Sequence, residues 1–284
     1  MKMTFRWLLV AGLLLLPGRM YSQDTNFFIF LCFGQSNMEG FPGVVPQDKG
    51  PVDDRFKLLA SVDFPNMGRT NGNWYPAVPP LCRPGTGLCP ADYFGRTLAS
   101  NLPPNIRIGI VSVAVAGCKI ELFEQSNYQA YAATAAPWMK NIIKTYDGNP
   151  YEYLVKMGKL AQKDGVIKGI LLHQGESNSG DKEWPNKVKG IYESLLNDLN
   201  LKAEAVPLLA GELVPADQQG ACAGMNKIID ALPQTIPTAH AISATGCPGR
   251  PDHLHFTPAG YRELGARYAE AMLPLLGYPL PATK

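Results

Sequence analysis

Charge is scarce in this chain. Only 18% of its 284 residues are charged, and 26 basic residues against 24 acidic ones leave a net charge of +2. No long Lys/Arg cluster occurs, which argues against nucleic acid or an anionic membrane as a partner. Cys-x-x-Cys spacing is absent, so the usual zinc-binding frameworks are not encoded. No internal repeat is visible and no linker splits the chain. The longest apolar run, Leu8 through Leu16, is too short to span a bilayer comfortably. Against these absences stands a hydrophobic content of 46%, enough for a folded globular body.

The N-terminus follows the three-part plan of a secretory signal peptide. Lys2 and Arg6 precede the apolar run, and Pro17, Gly18 and the small Ser22 follow it. An uncleaved anchor is the alternative. No cysteine closes the segment, which argues against a lipoprotein. We expect residues 1–23 to be the signal peptide and 24–284 the mature domain, secreted or periplasmic. No membrane partner is expected after cleavage. Export permits disulfides, and all six cysteines lie in the mature part. Cys82 and Cys89 bracket a Pro/Gly-rich loop and form one plausible pair. Cys222 and Cys247, flanking the last strand region, form another. Cys32 and Cys118 sit in apolar strand contexts, as buried free thiols do.

Short apolar runs alternate with amphipathic ones along the mature chain. Strands are expected over 27–33, 106–115, 167–173, 206–210 and 238–244. Most are Val/Ile/Leu-rich without polar alternation, the pattern of strands buried on both faces of a parallel sheet. Helices are expected over 92–101, 150–163, 182–200, 222–232 and 258–272, the last opening with Thr257 as N-cap and Pro258 in the first turn. The alternation predicts a doubly wound α/β sandwich. From Gly40 to Pro90 the rhythm breaks into a Pro/Gly-rich stretch of little regular pattern. Long irregular loops of this kind are often functional. Phe41, Phe64, Trp74 and Tyr75 within it are either sugar-stacking walls or packing residues.

Three segments carry chemistry. The first apolar run ends abruptly in Gly34-Gln35-Ser36-Asn37-Met38-Glu39, which presents the Ser36 hydroxyl at a strand end. In Asp252-His253-Leu254-His255 the spacing lets Asp252 accept from Nδ1–H of His255 and leaves Nε2 free to take a proton. A serine hydroxyl needs such a base to attack an ester at neutral pH. His173-Gln174-Gly175-Glu176 ends another strand, where the Gln174 amide can donate to an oxyanion and Glu176 can orient a histidine. The N–H groups of Gly117 and Ser36 are further candidate donors.

Taken in order, Gly-Gln-Ser-Asn-Met, Gly117, His-Gln-Gly-Glu and Asp-x-x-His resemble the SGNH (GDSL-like) hydrolase superfamily. The resemblance is closer to its sialate O-acetylesterase / acetylxylan esterase branch, which includes the sixth carbohydrate esterase family. It runs over essentially the whole mature chain. It implies a flavodoxin-like three-layer α/β/α sandwich with a central parallel sheet, and hydrolysis without a metal or other cofactor. Acetyl esters on carbohydrate are the implied substrate. It makes Ser36 the nucleophile and His255 the general base, with Asp252 orienting the base and Glu176 in support. Ser36, Gly117 and Gln174 would form the oxyanion hole. The wider superfamily usually carries asparagine where Gln174 stands.

The expected function is therefore an exported serine esterase acting on O-acetylated polysaccharide or oligosaccharide, with acetylated xylan as the leading substrate. O-acetylated sialic acid is the alternative. Its carboxylate would favour a basic contact, for which Arg69, Arg83, Lys119 and Arg250 are candidates. Two other classes compete. One is a non-catalytic carbohydrate-binding protein with an esterase-like fold. The other is a metallohydrolase built from His173, Glu176, His253 and His255.

Overall fold

A computed structural model describes residues 23–280. The expected signal peptide, apart from Gln23, lies outside the described residues. Among those described, no helix is long and apolar enough to cross a membrane.

The chain opens with β1 (Asp24–Gly34) and a one-turn helix, α1 (Ser36–Glu39). Short strands β2 (Phe41–Pro42), β3 (Phe56–Leu59), β4 (Trp74–Pro76) and β5 (Gly87–Leu88) lead to α2 (Pro90–Asn101). Then come β6 (Arg107–Ala114), α3 (Tyr128–Thr134), α4 (Pro137–Thr145), α5 (Pro150–Ala161) and β7 (Gly165–His173). The chain continues through α6 (Trp184–Asp198), β8 (Leu208–Gly211), α7 (Asn226–Asp230) and α8 (Leu232–Thr235). It closes with β9 (Ala239–Ile242) and α9 (Pro258–Leu275).

The central sheet has seven strands in the order β4-β3-β6-β1-β7-β8-β9. All pair in parallel except the edge strand β4, which is antiparallel to β3. β1 lies between β6 and β7, so the chain steps to one side of it and then the other. Such a reversal opens a crevice at the carboxyl ends of the strands, where α/β sheets place their sites.

Both faces of the sheet are covered, which explains its unbroken apolar strands. On one face Ile29, Leu31 and Phe33 of β1 pack with residues of α5 and α6 such as Leu154, Trp184 and Ile191. On the other, Phe28, Phe30 and Cys32 pack with α2 and α9 through Phe94, Tyr261 and Tyr268. Side chains alternate because successive residues of a strand point to opposite faces. Burying each such large apolar side chain contributes roughly 2 kcal/mol. The two layers of helices with the sheet between them form the expected α/β/α sandwich.

Several expectations need correction. The stretch from Gly40 to Pro90 is not structureless, since β3 and β4 widen the sheet beyond β6. β3 is only four residues long and is flanked by irregular chain, too short to show a period. Phe64 is a packing residue at 2% exposure, and Trp74 packs on Phe27 with ring centroids 4.7 Å apart. The helix expected over 222–232 breaks into shorter pieces, with Gly224 in its path and Pro233 just beyond it. Helices α3 and α4 were not anticipated. Thr257 caps α9 as expected, its hydroxyl accepting from the Gly260 N–H at 3.2 Å.

All six cysteines lie within the described residues and none is bridged. Neither expected pair forms. Cys222 packs on the α6 side of the sheet and Cys247 on the α9 side, so the sheet separates them. Cys82 and Cys89 share a layer, but the Cys82 sulfur sits 3.3 Å from the Tyr146 hydroxyl instead. Cys32 and Cys118 are buried free thiols, as their apolar contexts indicated.

Candidate active site

The site begins where β1 runs out. Gly34 pairs beside His173, and a Cβ at Gly34 would stand 2.1 Å from the His173 carbonyl oxygen. Its φ of +148° also favours glycine. This close approach brings the His-Gln-Gly-Glu segment alongside the serine turn. Gln35 is extended, and Ser36 then opens α1 with its hydroxyl half-buried at the carboxyl rim of the sheet.

His255 arrives from the loop between β9 and α9. Its Nε2 lies 3.0 Å from Ser36 Oγ, and its Nδ1 lies 2.9 Å from Asp252 Oδ2. The other Asp252 oxygen accepts from the N–H groups of Leu254 and His255 at 3.0 and 2.9 Å. Partial burial disfavours the charge on Asp252, but the backbone N–H groups of His255 and Leu254 outweigh it. The His255 ring adds to them, and the carboxyl is held below its ordinary range. An ionised Asp252 fixes the tautomer with Nδ1–H and leaves Nε2 facing the serine.

Glu176 does not reach His255. Its Oε1 accepts from Asn37 Nδ2 at 2.6 Å and lies 4.0 Å from His173 Nε2, while its Oε2 has no partner. Burial pushes its carboxyl up to about 7. Burial likewise lowers His173 to about 3, so its imidazole stays neutral near neutral pH. Asp252 is thus the acid that stands against the His255 ring, and Glu176 is bonded to Asn37 instead. His173, Glu176, His253 and His255 also fail to assemble as a metal set. Among the described residues no group of three or more His, Cys, Asp and Glu side chains is placed to hold an ion.

Two of the three expected oxyanion donors remain open. Among the described residues no hydrogen-bond partner takes the N–H of Ser36 or of Gly117, which sits at φ +66° in the turn after β6. Gln174 is differently placed. Its Nε2 donates to Asn178 Oδ1 at 2.7 Å, Gln35 Oε1 at 3.1 Å and the Cys118 carbonyl at 3.3 Å. Its Oε1 accepts from Trp184 Nε1 at 2.5 Å, and the residue is 1% exposed. Both amide protons are committed, so Gln174 braces the wall behind the site.

Sequence reasoning missed the residues that hold these parts together. Gln35 Oε1 accepts from Gln174 and from the N–H of Gly175 and Ser177. Asn37 Nδ2 donates to Glu176 and to the Leu254 carbonyl. Its Oδ1 accepts from Phe256 N–H and the Tyr261 hydroxyl. Glu39 Oε1 accepts from Ala116 N–H at 3.2 Å and pairs with Arg83 at 2.7 Å. Three buried polar residues around one serine were the available signal, because buried polar groups must find partners.

The basic candidates separate clearly. Arg69 is buried and donates to the carbonyls of Pro76, Val78 and Pro80. Arg83 is paired with Glu39. Arg250 stacks 4.1 Å over the Phe41 ring, which in turn lies 4.6 Å from the His255 ring. Lys119 is exposed just beyond Gly117. Among the described residues neither Arg250 nor Lys119 has an acidic partner.

The layered sheet carries its serine turn at the reversal beside β1. A model of the family described as carbohydrate esterase, sialic acid-specific acetylesterase matches residues 26–274, and the chain belongs to that family. Solved structures agree on the fold. A protein from Arabidopsis thaliana is 23% identical, with a TM-score of 0.67 over 88% of this chain and 99% of its own. NanS is 17% identical, with a TM-score of 0.63 over 90% of this chain and 99% of its own. A carbohydrate acetylesterase from Xanthomonas citri is 19% identical, with a TM-score of 0.59 over 86% of this chain and 55% of its own.

Proposed function

We propose that the chain is an exported serine esterase that removes O-acetyl groups from carbohydrate, with acetylated xylan as the leading substrate. One observation carries the reading: Ser36 Oγ, the His255 ring and Asp252 stand in line at 3.0 and 2.9 Å.

Ser36 Oγ attacks the acetyl carbonyl carbon while His255 Nε2 takes the hydroxyl proton. The carbonyl electron pair moves to oxygen, where the N–H groups of Ser36 and Gly117 stabilise it. Asp252 stabilises the imidazolium. Collapse breaks the bond to the sugar oxygen, and His255 returns the proton to that oxygen. The acetyl group now rides on Ser36. Water gives a proton to His255 and attacks the acetyl carbon; the bond to Ser36 Oγ breaks, His255 returns the proton to Oγ, and acetate leaves.

O-acetylated sialic acid is the second reading. The family description supports it, as does the Arg250 guanidinium, which sits over the Phe41 ring beside the His255 ring. Acetate release measured side by side on acetylated xylan and O-acetylated sialic acid decides between them. The Ser36→Ala variant is the control. Equal acetate release by wild type and Ser36→Ala on every ester would end the serine reading.

A further inference from the structure

A cavity of about 460 Å³, walled by Val62 and Pro84 as well as by polar side chains, plays no part in the hydrolytic steps. Asp63, Asn71, Arg83, Thr145, Asp147 and Tyr153 line it. It opens on the same rim as Ser36. Asp63 follows the carboxyl end of β3, and Asp147 and Tyr153 flank the start of α5, which descends from that rim. β3 lies two strands from β1, a distance of about 10 Å.

Helix α4 joins the two places. Near its start Trp138 is 52% exposed, and its indole lies against Gly117: a Cβ there would stand 2.9 Å from the ring. At its other end Thr145 lines the cavity. Seven residues separate Trp138 from Thr145, close to two full turns of about 3.6 residues each. Both therefore lie on one helix face, about 10 Å apart along the axis. Asn141 and the half-buried Ile142 fill the same face between them.

The chemistry of this path suits an uncharged sugar chain. An exposed indole offers a flat apolar surface to the C–H face of a pyranose. The Asp63 and Asp147 carboxylates can accept from sugar hydroxyls, while Tyr153 Oη is engaged within the wall, donating to the Ser61 carbonyl and accepting from Asn71 Nδ2. The cavity's cation is already neutralised, since Arg83 pairs with Glu39. Asp147 is balanced by Lys156 at 2.8 Å, and among the described residues Asp63 has no basic partner. An anionic sugar unit would be repelled there.

We propose that the hydrolytic centre is one end of a glycan groove along α4. Trp138 stacks against a ring of the leaving carbohydrate, and the cavity receives a further unit of the same chain. The substrate class is then an O-acetylated neutral oligosaccharide or polysaccharide. This rests on the esterase reading and selects between the two substrates left there.

The test is a chain-length series. For wild type, kcat/KM on monoacetylated xylo-oligosaccharides should rise at least about tenfold from xylose to xylopentaose, because remote contacts contribute to the transition state. Trp138→Ala and Asp63→Ala should flatten that rise. Calorimetry on Ser36→Ala with unacetylated xylopentaose supplies a readout independent of turnover, and adding Trp138→Ala should weaken binding about tenfold or more. A kcat/KM independent of chain length would overturn the proposal. So would xylopentaose binding that is the same with and without Trp138. Failure of the esterase reading looks different: Ser36→Ala would then release acetate like wild type at every chain length.

Discussion

Ser36 stands among neighbours that each hold a different part of the chain to it. Gln35 grips the His-Gln-Gly-Glu segment, Asn37 the His255 loop, and Glu39 the Gly117 turn. The serine, histidine and aspartate were legible in the sequence because strand ends and an Asp-x-x-His step are local signals. The bracing was not, because its partners lie more than a hundred residues away in several cases. Three outcomes belong at this scale. Ser36→Ala should lower kcat on a chromogenic acetate by at least about 10³-fold. Asp252→Asn should cost about 10²–10⁴-fold by presenting the wrong tautomer, and Glu176→Gln far less, because Glu176 makes no contact with His255. Steady-state kinetics on the two variants checks the ranking, and the reverse order would make Glu176 the orienting acid. Asn37→Ala should destabilise the fold by roughly 2–4 kcal/mol in urea unfolding, since it strands the Tyr261 hydroxyl and Glu176 together.

At the scale of elements, the long buried strands read well. β1, β6 and β7 are apolar on both faces, so their sequence announces a covered parallel sheet. β3 and the α3–α4 pair did not announce themselves. β3 is too short for a period, and α3 buries none of its residues, so it has no apolar stripe to show. α4 buries only Met139 and Ile143. The missed helices frame the rim beside Gly117, which is where the turn after β6 is most constrained. Gly117→Ala would put a side chain on the indole of Trp138 at a positive φ. It should cost about 1–2 kcal/mol of stability. It should also lower kcat by at least about tenfold, because the Gly117 N–H would shift from the oxyanion position. Wild-type kcat in a folded Gly117→Ala protein would remove that N–H from the mechanism.

For the whole molecule, the three-layer plan was legible and the width of the sheet was not. Its buried His173–Glu176 neighbours leave a mark on stability against pH. Folding lowers His173 from 6.5 to about 3 and raises Glu176 from 4.5 to about 7, both through burial. Between pH 4.5 and 6.5 the folded pair holds one proton on Glu176, and the unfolded pair holds one on His173, so this pair adds no slope. Below pH 4.5 the unfolded chain protonates both, and stability falls until about pH 3. Glu176→Gln removes the folded-state proton. Its stability should therefore begin to fall already at pH 6.5, losing roughly 2–3 kcal/mol more than wild type by pH 4.5. Urea unfolding across that range checks it, and parallel curves for the two proteins would contradict the assignment. The hydrolytic centre has its own direct test, which is covalent capture. An organophosphonate that reacts only with activated serines should label the protein once, on the peptide carrying Ser36, with loss of esterase activity and slower labelling in Asp252→Asn. An unlabelled Ser36 in a protein that still hydrolyses acetate esters would contradict the account.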